Sequence, residues 1–355
     1  MTYIHYAPII ITALITSVFL VVMTPVAHFL GLVDIPSYRK NHSGNVPLTG
    51  GFAMFMGILI ASLITDVVFQ NNPMFLTSAA FIVLLGMLDD RFNLSAKGRL
   101  FCQFIVSGLM VWVADNYIVN LGDLFSFGDM HIPTFGYLFT MVCVVGVINA
   151  FNMIDGIDGL AGGMSLVVLF SVIVLMYIQG NLSGITAPLV IAAAIVPFLA
   201  FNLSIKGFKG NKIFMGDAGS MFIGLAIVWL LVENAGNVDS TFRPITAVWL
   251  IGLPLMDMAA IMIRRARKGR SVLQPDKHHL HNIFIRAGFS PFAALLSILL
   301  MGVAFCAVAV ISEINQVPEY IMFYAFIFTL AVFTTILLNI WKILRVIRRL
   351  GILKP

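Results

Sequence analysis

Asn152, Asp155 and Asp158 recur every three residues within Asn149–Gly163, NAFNMIDGIDGLAGG. On a helix this spacing keeps all three on one side, drifting by about 60° per step. Gly156, Gly159, Gly162 and Gly163 strip side chains from around them, so backbone or ligand can approach closely. Carboxylates at the end of an apolar run are costly to desolvate, which marks the stretch as a functional-site candidate. The plain alternative is a solvated acidic loop.

Other clusters point the same way. Asp89-Asp90-Arg91 is followed by Lys97-Gly98-Arg99. Adjacent carboxylates repel unless a cation is near, and Arg91, Lys97 or a divalent metal would serve. Capping of the next helix by Asp89 or Asp90 is the structural alternative. In Asn202–Ser220, NLSIKGFKGNKIFMGDAGS, three lysines precede Gly216-Asp217-Ala218-Gly219-Ser220. A helix opened by small residues suits phosphate or metal-phosphate binding, although Asp217 could serve only as an N-cap. Arg264–Ser290 gathers seven basic residues with His278, His279 and His281. His279 and His281 face the same way in an extended segment. With Arg neighbours and no third soft ligand, the pair fits phosphate better than zinc. Val33–Gly51 is a Pro- and Gly-rich loop whose Arg39, Lys40 and His42 could touch an anion.

Carboxylates, amides and Lys, Arg and His donors in these proportions suit a nucleotide diphosphate held with Mg²⁺, with Mn²⁺ as a substitute. Such a metal takes few protein oxygens and shares the phosphates. Metal and cationic side chains together offset the charge that builds up in phosphoryl transfer.

The elements that must position these groups are membrane helices. Of 355 residues, 60% are apolar and 10% charged, against about 25% charged in soluble proteins. The fold class is an all-α polytopic membrane protein. About eleven transmembrane helices are expected at 8–30, 50–69, 74–88, 100–119, 135–151, 159–179, 185–203, 218–234, 243–263, 292–312 and 319–341. No basic residue precedes the first run, so it reads as a spanning helix rather than a signal peptide, with the N-terminus periplasmic. The C-terminus is then cytoplasmic, and 20 of the 21 Lys and Arg residues fall on the cytoplasmic side, Arg243 being the exception. That bias supports the arrangement. It places every polar cluster above in cytoplasmic loops and implies a lipid substrate beside the bilayer.

Residues 1–341 are expected to form a single integral-membrane domain. Residues 342–355 are a basic tail that either lies on the anionic leaflet or simply anchors the last helix. Cys102, Cys143 and Cys306 are odd in number and lack a CxxC spacing, which argues against a disulfide framework or zinc site. A transporter would carry its ionisable groups near mid-bilayer; here Asp257 is the main such residue, and a buried pairing with a basic residue suits it better than direct catalysis. Nucleic acid is not an expected partner.

The strings GLVDIPSYRKNHSGNVPLTGG, GMLDDR, NAFNMIDGIDGLAGG, IFMGDAGS and RRARKGRSVLQPDKHHLHNIFIRAGFS resemble, in order and along nearly the whole chain, the polyprenyl-phosphate N-acetylhexosamine-1-phosphate transferase family. The last loop is most similar to the branch that transfers GlcNAc-1-phosphate from UDP-GlcNAc to undecaprenyl phosphate. His278-His279-Leu280-His281-Asn282 departs from the three consecutive histidines of the branch that uses a MurNAc-pentapeptide donor. The resemblance implies a bacterial inner-membrane enzyme making undecaprenyl-diphosphate-GlcNAc and UMP, the first step of O-antigen or common-antigen assembly in lipopolysaccharide biosynthesis. A different UDP-N-acetylhexosamine is the close rival, and a homodimer is admitted.

The resemblance further implies that Asp89 and Asp90 lie next to the lipid phosphate, one of them as base, and that Asn152 and Asp217 hold Mg²⁺. Asp155 and Asp158 become nucleotide-site aspartates, Asp158 near uracil and Phe214 stacking on it. Arg265, His279 and His281 would contact pyrophosphate and sugar, while Lys97, Lys212 and Asn202 complete the substrate-binding set. One-step attack by the lipid phosphate is preferred; a covalent aspartyl intermediate stays open.

Overall fold

A computed structural model describes residues 6–34, 44–65, 73–205, 211–235, 240–273 and 278–349. Arg39, Lys40, His42, Lys206, Lys209, Lys277, Asp239 and the tail beyond 349 lie outside the described residues. Among the described residues each expected apolar run holds a helix: α1 (Tyr6–Leu30), α2 (Gly50–Thr65), α3 (Pro73–Phe92), α4 (Ala96–Gly108, continued by a π-helical turn Leu109–Val113), α5 (Pro133–Ile154), α6 (Leu160–Ile178), α7 (Thr186–Asn202), α8 (Gly216–Asn234), α9 (Pro244–Leu250), α10 (Gly252–Arg267), α12 (Pro291–Ile314) and α13 (Glu319–Arg349), with a short α11 (Leu280–Ala287) between α10 and α12. Among the described residues, eight helices are long and apolar enough to cross a bilayer, nine if α9 and α10 form one bent span. Helices α2 and α7 are apolar but shorter, at 16 and 17 residues. The architecture is all-α and polytopic.

The run read as one span over 243–263 is broken, its halves α9 and α10 bent by 75°. Pro254 explains the break: it has no N–H to give the Leu250 carbonyl four residues back, and its ring clashes there. The freed Leu250 carbonyl instead accepts from the Cys306 thiol of α12 at 3.3 Å. At the other end, α13 runs without interruption to Arg349. At about 1.5 Å per residue its 31 residues reach about 46 Å, well beyond a hydrocarbon core of about 30 Å. The segment from 342 to 349 therefore continues the last helix instead of forming a separate stretch.

Helix α8 is the centre of the bundle. Every residue from Ala218 to Val232 is buried, as expected of a helix apolar on all faces. Helices α2, α3 and α5 pack along it, and Phe75 of α3 meets Trp229 edge-on at 5.4 Å. The α3–α8 crossing is close because of Gly86: a Cβ there would overlap the Ala218 backbone. Small residues at such crossings let backbones approach. A two-residue antiparallel pair, β1 (Val33–Asp34) with β2 (Val46–Pro47), ties the first loop to the start of α8, because Phe214 N donates to Pro47 O at 2.9 Å and Gly50 N to Phe214 O at 3.1 Å.

Gly86→Val is expected to lower the thermal midpoint of the detergent-solubilised protein sharply, at a cost of about 1–3 kcal/mol or more from overpacking. Gly146→Ala, where a Cβ meets nothing within 4 Å, leaves the midpoint unchanged or raised. Equal midpoints for the two variants would contradict the crossing.

Candidate active site

The end of α3 and the start of α8 meet face to face. Asp90 Oδ1 accepts from Asp217 N at 2.8 Å and Asp90 Oδ2 from Ala218 N at 3.3 Å. Asp90 therefore caps α8 from another helix, satisfying amides that a helix start leaves without internal partners. Gly216 makes this geometry accessible: its φ is +70° and a Cβ would stand 2.5 Å from Asp90 Oδ2. The sequence alternatives for both residues resolve here. Asp90 caps a helix, though not the next one, which Ser95 caps by accepting from Gly98 N at 3.2 Å. Asp217 is not the N-cap of α8; Met215 is.

Asp89 is buried, with its Oδ1 accepting from Leu94 N at 2.8 Å and its Oδ2 paired to Arg99 at 2.5 Å. The cation that relieves the paired aspartates is thus Arg99, neither Arg91 nor Lys97. Arg91 packs beside Gly31 and Phe92, and Lys97 is exposed on the first turn of α4. Arg99 also lies 3.6 Å from Asp217 Oδ2, so one guanidinium stands between two carboxylates. Sequence reasoning did not single out Arg99. The available signal was Gln103, one turn further on and polar inside an apolar run. Gln103 accepts from Asn149 Nδ2 at 2.6 Å, which fixes α4 against α5 directly beneath the site.

From α5, Asn152 Nδ2 donates to Asp217 Oδ1 at 2.6 Å and to Ser220 Oγ at 2.9 Å. Asp155 ends that helix, and it is exposed. Asp158 pairs with Lys212 at 2.6 Å, and the Lys212 ammonium lies 4.9 Å from the centre of the Phe214 ring. A carboxylate, an ammonium and an aromatic face therefore form one partly exposed cluster. Asn202 stands behind it, buried: Gly159 N donates to its Oδ1 at 2.6 Å, and its Nδ2 donates to Ile213 O at 2.9 Å. Both ends of this amide are held by backbone, so it locks the Asp155–Gly159 turn to the strand of chain entering α8.

The last loop reaches the same place. His279 and His281 are buried and their rings lie parallel, 5.7 Å apart at 4°. The His281 ring occupies the space above Gly156, where any Cβ would overlap it. Burial, and next the His279 ring, hold the His281 pKa down to about 4, so it is neutral near pH 7. Asp257 binds His279 Nδ1 at 2.8 Å, the buried pairing with a basic residue expected of it. Arg265 is buried and donates to Val272 O. The structure thus gathers Asp89, Asp90, Asn152, Asp155 and Asp217 around the start of α8, with the Asp158–Lys212–Phe214 cluster and the histidine pair on the flanking loops. Lys97 is the predicted residue left at the periphery.

Among the described residues, no three His, Cys, Asp or Glu side chains are spaced to enclose a metal by themselves. What they offer is a set of hard oxygens, with Asp217 35% exposed and the Asn152 amide bonded to it. That donor set suits Mg²⁺ or Mn²⁺, which complete their shells with phosphate and water.

Fold and site together define a class: a polytopic α-helical membrane enzyme whose acidic and cationic residues converge at helix ends. Residues 72–235 match the glycosyl transferase family 4 profile. The chain is 40% identical over 337 residues to the undecaprenyl-phosphate alpha-N-acetylglucosaminyl 1-phosphate transferase of Yersinia pestis, covering 95% of this chain and 92% of that protein. The protein of the same description from Escherichia coli strain K12 is 38% identical over the same shares, and that of Haemophilus influenzae 36% over 93% of each chain. The chain belongs to this polyprenyl-phosphate N-acetylhexosamine-1-phosphate transferase family.

His281 provides a pH test. Its folded-state pKa lies below the ordinary value of 6.5, so protons favour the unfolded chain as pH falls through 6.5 towards 4. The wild-type thermal midpoint should drop over that interval relative to its value at pH 7.5, and His281→Gln should flatten this part of the profile. Parallel profiles would contradict the burial of a neutral ring.

Proposed function

We propose that the protein transfers GlcNAc-1-phosphate from UDP-GlcNAc to undecaprenyl phosphate, giving undecaprenyl-diphosphate-GlcNAc and UMP. The observation that carries this reading is the convergence of Asp89, Asp90, Asn152 and Asp217, from three separate helices, on the start of α8 beside Arg99. The names of the relatives give the acceptor and the transferred group; the uridine nucleotide is the reading of the residues and of the resemblance. The reading places eleven spans in a bacterial inner membrane, N-terminus periplasmic and C-terminus cytoplasmic, with the acidic recess at the cytoplasmic leaflet where a lipid phosphate sits.

An oxygen of the lipid phosphate attacks the β-phosphorus of the donor. The bond from that phosphorus to the bridging oxygen breaks, and UMP leaves. One of the paired aspartates would take a proton from the attacking phosphate; Asp89 is held by Arg99 and the Leu94 amide, and Asp90 by the Asp217 and Ala218 amides. Asn152 and Asp217 are the proposed Mg²⁺ ligands, and that ion, when bound, would draw charge from the donor diphosphate. Asp158, Lys212 and Phe214 provide charge and an aromatic face for the uridine end, and Arg265, His279 and His281 line the path to diphosphate and sugar. The product would be the first lipid-linked sugar of an O-antigen or common-antigen glycan. Another UDP-N-acetylhexosamine is the second reading, since the pocket residues named here recognise nucleotide and phosphates more than the sugar.

Purified protein with undecaprenyl phosphate should release UMP from UDP-GlcNAc faster than from UDP-GalNAc or UDP-glucose, and only with Mg²⁺ or Mn²⁺. Asp217→Ala should fall by about 10²-fold or more, a loss comparable to removing a principal charge-stabilising group, while Lys354→Ala stays near wild type. UMP release from UDP-GlcNAc that survives both EDTA and Asp217→Ala would refute the metal assignment, and preference for another sugar would select the second reading.

A further inference from the structure

Asp257 is 1% exposed in α10, and both of its oxygens are used. Oδ1 accepts from Leu280 N at 3.0 Å, and Oδ2 lies 2.8 Å from His279 Nδ1. An ionised carboxylate only accepts hydrogen bonds, so His279 must carry a hydrogen on Nδ1. Leu280 N is the first amide of α11, one of the donors a helix start leaves open. One carboxylate therefore fixes where α11 begins and how the ring just before it is turned. The orientation passes on, because His279 lies parallel to His281 and His281 rests on Gly156 in the turn between Asp155 and Asp158.

We propose that Asp257 is a positioning residue: it sets the plane and tautomer of His279, leaving Nε2 as the ring atom that accepts from a hydroxyl or amide N–H on the sugar of the sugar-nucleotide donor. This rests on the donor reading given above. A carboxylate removed from water is costly to maintain, and a helix staple alone would not require it. An asparagine would serve Leu280 N equally well through its own carbonyl oxygen. The carboxylate is needed only if the second oxygen must accept from Nδ1. Asp257→Asn separates these roles, since its amide would present N–H to Nδ1 and drive the ring hydrogen to Nε2 while the staple persists.

The test uses full-length protein in detergent with the lipid acceptor. Asp257→Asn should keep a near wild-type thermal midpoint and lose about 10–100-fold in kcat/KM for UDP-GlcNAc, the usual scale for a partner that orients a ligating histidine, with the KM for the lipid little changed. Asp257→Glu, which keeps an acceptor, should recover part of the loss. The double variant Asp257→Asn, His279→Ala should be no worse than His279→Ala alone, because one residue acts through the other. Wild-type kcat/KM in Asp257→Asn, or losses that multiply in the double variant, would overturn the assignment. ¹⁵N NMR of histidine-labelled wild-type protein, with the His279 signal identified by its loss in His279→Ala, should report a hydrogen on Nδ1; a ring protonated on Nε2 alone would equally overturn it. That measurement needs neither a folded Asp257 variant nor a particular donor, so its failure is distinct from failure of the function proposed above.

Discussion

The start of α8 is a row of backbone amides at one end of the bundle, and the site is built on it. Those amides point towards Asp90, and the helix they open is buried on every side from Ala218 to Val232. A helix so placed cannot satisfy its first N–H groups with water, so they need an acceptor from a neighbour. Asp90 supplies it, and in doing so draws Asp89 and Asp217 into one space. Carboxylates that close repel, and Arg99 between Asp89 and Asp217 offsets the repulsion. The same amides and cation provide an environment suited to the negative charge of phosphates.

Support for this centre comes in layers. Gly86 lets α3 approach α8 closely enough for the cap to form. Gln103 and Asn149 hold α4 and α5 together one turn below Arg99 and Asn152. Asn202 clamps the turn after α5 to the chain entering α8, using both ends of its amide. None of these side chains needs to meet a substrate, yet each fixes a residue of the candidate site. The Asp257–His279 pair performs the same service for the last loop, far away in sequence.

Much of this was legible before any coordinates. Apolar run lengths marked the long helical segments but not the short α11 of the last loop, and the skew of Lys and Arg towards alternate loops placed the polar motifs together. Asp89, Asp90, Asn152, Asp155, Asp158 and Asp217 stood out because carboxylates and amides at the ends of apolar runs are expensive unless used. The family resemblance followed from their order. Two features escaped for local reasons. The α9–α10 break depends on a single proline within an apolar run that otherwise reads as one span. The continuation of α13 to Arg349 has no stop signal to oppose it, since basic residues are good helix formers.

Sequence by itself determined the helices, the residue types gathered on the loops and the family, because hydropathy period and motif order are properties of neighbours along the chain. It did not decide which partner each charged group takes. That Arg99 rather than Arg91 or Lys97 meets Asp89, that Asp90 caps α8 and not α4, and that Asp257 binds His279 all depend on which helix faces which. The separations of 127 and 128 residues between Asp90 and the α8 amides are closed by packing at small side chains and by the demand of buried amides and carboxylates for partners. Those are constraints of three-dimensional proximity, and only the folded chain expresses them.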